Sequence, residues 1–161
     1  MAIAMISWML AVPLLGLTTG LRSMTPMAVA CWFAYLGHLP VEGTWAFWIA
    51  RPFSVGIFTL FALGEFVGDK VPKAPDRIAP FPLVARLIFG GVIGSIAATA
   101  MRGPGLEGAL LGVAGAALGA FAGFMIRRDL AEKIGFDWPI AAAEDFFALL
   151  CAVFAMHVVA S

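Results

Sequence analysis

The amino-acid sequence predicts an all-α protein, a bundle of transmembrane helices, and three observations support this fold class. Hydrophobic residues make up 62% of the 161 residues and charged residues only 12%. The mean hydropathy is +0.98. The apolar residues fall into about six long runs, and a helix needs about 20 such residues to cross ~30 Å of hydrocarbon. A soluble domain of this size could not cover its surface with so few charges, so we exclude a water-soluble globule and a disordered chain.

Polar or proline-rich breaks separate the runs, which together predict one integral membrane domain over residues 1–161. The runs are 2–21, 26–39, 52–68, 83–101, 106–126 and 139–160. Trp45 to Ala50 is expected to lie at an interface, because tryptophan anchors at headgroup level. Run 26–39 is short, so we favour six crossings and keep four crossings with a re-entrant pair as the alternative. Six crossings would also allow a 3+3 inverted repeat.

The distribution of charge predicts an orientation. Ten basic and ten acidic residues cancel, which leaves no basic excess for nucleic acid. Basic residues concentrate in loops 69–82 and 127–138, whereas the opposite turn holds only Arg102. The positive-inside rule places these two loops in the cytoplasm and the C-terminus outside. The expected partner is the lipid bilayer.

Run 106–126 contains a stripe of glycines spaced three or four residues apart, typical of a glycine zipper. Its members are Gly108, Gly112, Gly115, Gly119 and Gly123. This spacing puts them on one helical face, and small residues let helix backbones approach closely in a membrane. We favour packing within the chain, with a homodimer seam as the alternative.

Seven ionisable residues lie near helix ends on the predicted cytoplasmic side. They are the candidates for a ligand or ion site: Glu65, Asp69, Glu144, Asp145, Arg22, Arg86 and Lys70. One interpretation is an ion-pair network that locks helix ends together. The other is a polar vestibule for a small charged ligand, a cation or a lipid headgroup. Glu65 is the deepest acid and the best candidate for reversible protonation.

The segment Arg22–Pro26 combines a cation, two hydroxyl groups and a proline. We favour an ordinary interhelical loop here. The alternative is a helix broken inside the membrane, which would expose backbone groups that can bind ions or substrates. The sequence has no His-Glu-x-x-His, no phosphate loop and no Gly-x-Ser-x-Gly. We therefore expect no enzyme, no metal site and no cofactor.

Three functions fit these observations. A small transporter or channel-like protein for an ion or polar solute is favoured. The alternatives are a non-catalytic interaction subunit or scaffold, and a protein that handles anionic lipids through the basic, proline-rich loop.

Four motifs occur in order along the chain. They are Gly20-Leu21-Arg22-Ser23-Met24-Thr25-Pro26, Glu65-x-x-x-Asp69-Lys70-x-Pro72-Lys73-x-Pro75, a Gly/Ala-rich run that ends in Arg127-Arg128, and Glu144-Asp145. With them the chain resembles a widespread bacterial family of small multi-pass membrane proteins known as a domain of unknown function. The resemblance implies a bacterial inner-membrane setting and supplies no activity.

Overall fold

The computed structural model describes residues 2–68, 79–135 and 138–161, with side chains from Trp8 onward except that of residue 134. Six α-helices and one 3₁₀ helix make up this part of the chain, which contains no strand. The helices are α1 (Ala2–Leu21), α2 (Met24–Tyr35), the 3₁₀ helix Trp45–Ala50, α3 (Pro52–Gly68), α4 (Pro80–Ala100), α5 (Gly105–Ile134) and α6 (Trp138–Ala160). The predicted all-α bundle is therefore confirmed.

The helix ends follow local chemistry. Helix α4 starts at Pro80, three residues before the predicted run, because proline is tolerated in the first turn, where its missing N–H has no partner to lose. Helix α5 continues beyond its apolar run to Ile134, and Gly135, with a φ of 77°, caps it in the left-handed conformation.

Among the residues that the structure describes with side chains, three helical segments are long and apolar enough to cross a membrane: α4, residues Gly105–Lys133 of α5, and α6. Large apolar side chains project from them to the outside, among them Phe81 and the α6 residues Phe146, Phe147 and Phe154. An exposed apolar surface of this extent is typical of a protein surrounded by lipid.

Helix α5 packs closely against α4 and α1 through the predicted glycine stripe. A Cβ atom built on Gly108 or Gly112 would lie closer than 3.0 Å to backbone atoms of α4, at Gly94 and Gly90. The same atom on Gly115 or Gly119 would meet the backbone of α1 between Pro13 and Leu17. Gly123, the fifth member, is also buried. Because α1 and α4 already occupy this face, a homodimer seam through it would have to displace them.

Helices α1 and α2 form a hairpin whose two outer ends lie at the same end of the bundle. The Trp8 indole of α1 lies against Gly103, just beyond the end of α4. After α2, Trp45 donates a hydrogen bond to the Thr99 hydroxyl near that same end of α4, at 3.0 Å. The hairpin turns at Arg22–Ser23, toward the opposite end, where α4 begins.

Helix α2 is too short by itself to span the hydrocarbon core of a bilayer. Its 12 residues extend about 18 Å, well short of ~30 Å of hydrocarbon. Helix α2 also has less than half the length of α5, its counterpart in a 3+3 repeat, which has 30 residues. The helix lengths therefore give the inverted repeat no support.

Candidate functional site

The candidate site is built around the break between α1 and α2. Helix α1 ends at Leu21 and α2 begins at Met24, so carbonyl groups of one helix end and N–H groups of the next come together inside the bundle. Such end groups have no partner within their own helix. In an apolar surrounding they must be satisfied by other groups, since an unsatisfied buried polar group costs several kcal/mol.

Arg86 of α4 satisfies the end of α1. Its Nη1 donates hydrogen bonds to the carbonyl oxygens of Gly20 at 2.9 Å and Leu21 at 2.8 Å. Arg86 is buried although it carries a full charge. A cation is favourable at a helix C-terminus, where the carbonyl dipoles concentrate negative charge.

Glu65 of α3 satisfies the start of α2. Its Oε1 accepts the N–H of Ser23 at 2.8 Å, and its Oε2 accepts the N–H of Met24 at 2.9 Å. A carboxylate is favourable here because the N-terminal end of a helix carries partial positive charge. Arg86 Nη2 lies 3.8 Å from Glu65 Oε1, so the two side chains that hold the helix ends also attract each other.

Arg22 lies in the break itself and is fully buried. Its Nη2 forms an ion pair with Asp145 Oδ1 of α6 at 2.5 Å. Asp145 lies about two turns inside α6, roughly 10 Å from Trp138. The pair therefore connects the tip of the α1–α2 hairpin to α6, about two turns from the start of that helix.

We name these four side chains the charge cluster: Arg22, Glu65, Arg86 and Asp145. Two guanidinium groups face two carboxylates, so their formal charges cancel. Neutral pairing with added hydrogen bonds is what allows charges to persist in an apolar interior. The arrangement joins four parts of the chain, the hairpin tip, α3, α4 and α6, at one end of the bundle.

The remaining predicted site residues have different outcomes. Glu144 is half-buried and precedes Asp145 in α6, with interactions of its own. Asp69 and Lys70 lie outside the described residues, as does most of the basic, proline-rich loop. No group of three or more His, Cys, Asp or Glu side chains that could hold a metal ion occurs in the part of the chain that the structure describes.

Thr25, one of the two hydroxyl residues of the Arg22–Pro26 segment, differs from the other buried threonines. It is the second residue of α2 and only 2% exposed. Its Oγ1 has no hydrogen-bond partner among the described residues. By contrast, the buried hydroxyl groups of Thr18 and Thr19 donate to carbonyls one turn earlier in α1. A threonine inside a helix usually bonds back in this way, so only the structure distinguishes Thr25 from the other two.

Comparison with family models matches residues 9–159 to the Domain of unknown function (DUF4126). The chain belongs to this family. The DUF4126 match extends from α1 to the last turn of α6 and includes every member of the charge cluster, and it confirms the family resemblance of the chain. No curated protein and no solved structure matches the chain.

Proposed function

We propose that this DUF4126 protein is an integral protein of the bacterial inner membrane that moves a small ion or polar solute across the bilayer. The proposed site is the charge cluster at the tip of the α1–α2 hairpin. In the proposed orientation the charge cluster, loop 69–82 and the segment 127–138 are on the cytoplasmic side, and the C-terminus lies outside.

The observation that carries this proposal is a broken helix pair whose inner ends are held by charged side chains of other helices. Glu65 and Arg86 hold the ends of α2 and α1 by hydrogen bonds to backbone groups. Many transporters place discontinuous helices at their binding sites, because half-helix ends present backbone dipoles to a solute. Buried ionisable residues in such bundles are costly, and they commonly mark ion or substrate pathways.

A purely structural hairpin would need fewer charges. Keeping four ionised groups in an apolar bundle is no more stabilising than packing apolar side chains of similar volume. Charged side chains that can exchange partners, however, allow a bound solute to take the place of a contact within the charge cluster. A scaffold function requires only that the helix ends be satisfied, so this reasoning favours transport.

The proposal is tested by reconstituting the purified protein in liposomes and measuring Na⁺, K⁺, H⁺, Cl⁻ and formate flux against protein-free liposomes. We expect at least one of these fluxes to exceed the protein-free rate. Arg86→Gln should lower that flux at least about tenfold, because a hydrogen bond to a charged group contributes ~1.5–3 kcal/mol. Arg86→Lys keeps the positive charge but lacks the planar guanidinium group, so this variant should retain part of the flux.

Arg128→Gln is the matched control. Arg128 is 57% exposed on the part of α5 proposed to extend into the cytoplasm, where it lies beside its neighbour Asp129 and over the Phe124 ring, away from the charge cluster. This variant should transport at the wild-type rate. Wild-type protein that is folded in the liposomes and moves none of these ions would contradict the proposal, and so would Arg86→Gln with undiminished flux.

A further inference from the structure

The Thr25 hydroxyl group is a buried hydrogen-bond donor in the first turn of α2. Thr25 follows Met24, whose N–H group donates to the Glu65 carboxylate, and it is only 2% exposed. Its Oγ1 has no hydrogen-bond partner among the residues that the structure describes. A buried hydroxyl group without a partner is unfavourable, and native proteins rarely keep one unless a ligand or water satisfies it. Thr25 therefore indicates a ligand at the start of α2.

The break between α1 and α2 explains why this hydroxyl group is not satisfied by its own helix. A threonine inside a helix usually donates to the carbonyl oxygen three or four residues earlier, as Thr18 does in α1. For Thr25 those carbonyls belong to Leu21, the last residue of α1, and to Arg22, which lies in the break. The Leu21 carbonyl accepts a hydrogen bond from Arg86 instead. The break therefore leaves a side-chain donor without its usual acceptor inside the hairpin tip.

The need of this hydroxyl group for an acceptor selects the chemistry of the ligand. An alkali cation cannot accept a hydrogen bond, so it would leave the O–H group of Thr25 unpaired. The carbonyl oxygens that could coordinate a cation here, those of Gly20 and Leu21, accept hydrogen bonds from the Arg86 guanidinium group, whose positive charge repels a cation. A compact solute with a carbonyl or carboxyl oxygen can accept the hydrogen bond.

We propose that the start of α2 binds a small solute through a carbonyl or carboxyl oxygen that accepts a hydrogen bond from the Thr25 hydroxyl group. The inference rests on the proposed transport function, because it names the chemical class of the solute that the site takes. Formate and formamide carry such an oxygen on molecules of similar size, the first charged and the second neutral. Together they test the class and identify the charge of its preferred member. Binding can be measured without transport.

The test measures the midpoint of thermal unfolding of the detergent-solubilised full chain at increasing concentrations of sodium formate, formamide and, as the reference salt, sodium chloride. For the wild type we expect saturable stabilisation by formate beyond that by chloride, or saturable stabilisation by formamide. Thr25→Val keeps the shape of threonine without its hydroxyl group, so half-maximal stabilisation should need about tenfold more solute. Thr25→Ser, which keeps the hydroxyl group, should retain the wild-type affinity.

Thr18→Val is the matched control. The Thr18 hydroxyl group is also buried, but it donates to carbonyl oxygens of α1 itself. This variant should therefore bind the solute as the wild type does. Equal affinities of Thr25→Val and Thr18→Val would overturn the inference, because the Thr25 hydroxyl group would then not contact the solute.

The result for the wild type does not depend on any variant folding. The inference is overturned if formate stabilises the wild type no more than chloride does and formamide gives no saturable stabilisation. Na⁺ or K⁺ flux without binding of either solute would overturn this inference and leave the transport proposal standing. Binding of formate or formamide without any flux would do the reverse.

Discussion

Single side chains decide whether the hairpin tip is stable. Arg22 is fully buried and forms an ion pair with Asp145. Arg22→Met would leave that carboxylate without its ion pair in an apolar surrounding, and breaking a buried pair in this way costs ~3–5 kcal/mol. We expect such a loss in the free energy of unfolding, measured by denaturant titration in mild detergent. The double variant Arg22→Met with Asp145→Leu should recover a large part of it.

The control for this prediction is Arg128→Met. This arginine is 57% exposed, and its ion pair with Asp129 is 3.6 Å long and open to solvent. Surface changes of this kind alter stability by about 0.5 kcal/mol or less. If Arg22→Met were as stable as Arg128→Met, the ion pair would not hold the hairpin tip.

The residues of the charge cluster could be predicted from the sequence, but their partners could not. Charges are rare in this chain, so any that fall inside apolar runs must gather away from lipid. Which helices neighbour each other decides whether Glu65 meets Arg86, Arg22 or a backbone N–H, and that depends on tertiary packing. The sequence offered a helix break at Arg22–Pro26 only as the alternative to an ordinary loop, and the capping of both helix ends by Arg86 and Glu65 required the structure.

Helices in this bundle approach each other through glycine, and this close approach can be tested. A Cβ on Gly112 of α5 would lie closer than 3.0 Å to the backbone carbonyl oxygen of Gly90 in α4. A backbone atom cannot move away by a change of rotamer, as a flexible side chain can. Gly112→Ala should therefore destabilise the protein by ~1–3 kcal/mol through overpacking. Thermal unfolding in detergent measures the effect.

The matched change is Gly64→Ala in α3, where a Cβ would meet nothing within 4 Å. Alanine has the higher helix propensity, by about 1 kcal/mol in water, so this variant should be neutral or slightly more stable. Equal stability of the two alanine variants would show that α4 and α5 lie further apart than the structure places them.

Helix positions could be predicted well because apolar runs and breaks are strong signals. The predicted and observed helix boundaries differ where the composition of a segment fits both a loop and a helix. Prolines 80 and 82 mark a loop by composition, yet both fit the first turn of α4. Run 26–39 extends past the end of α2 at Tyr35 because the turn that follows is itself apolar. Gly37, with φ at 79°, takes the left-handed conformation in that turn.

At the scale of the complete bundle, the charges divide the molecule into two ends. The charge cluster and the basic residues Arg127 and Arg128 lie at one end, whereas Arg102, the 3₁₀ helix and Ser161 lie at the other. This separation follows from three long apolar helices, α4, α5 and α6, that run alternately between the two ends. The proposed transport site depends on it, because an ion can be exchanged across a membrane only if the two ends face different compartments.

Cysteine labelling in intact bacterial cells measures this division. Cys31 and Cys151 are first replaced by alanine, and a single cysteine is placed at Ser161 or at Arg128, both exposed. We predict that a membrane-impermeant maleimide labels Ser161→Cys in intact cells and labels Arg128→Cys only after the inner membrane is permeabilised. Equal labelling of both variants in intact cells would contradict a bundle that crosses the membrane, and labelling of Arg128→Cys alone would contradict its orientation.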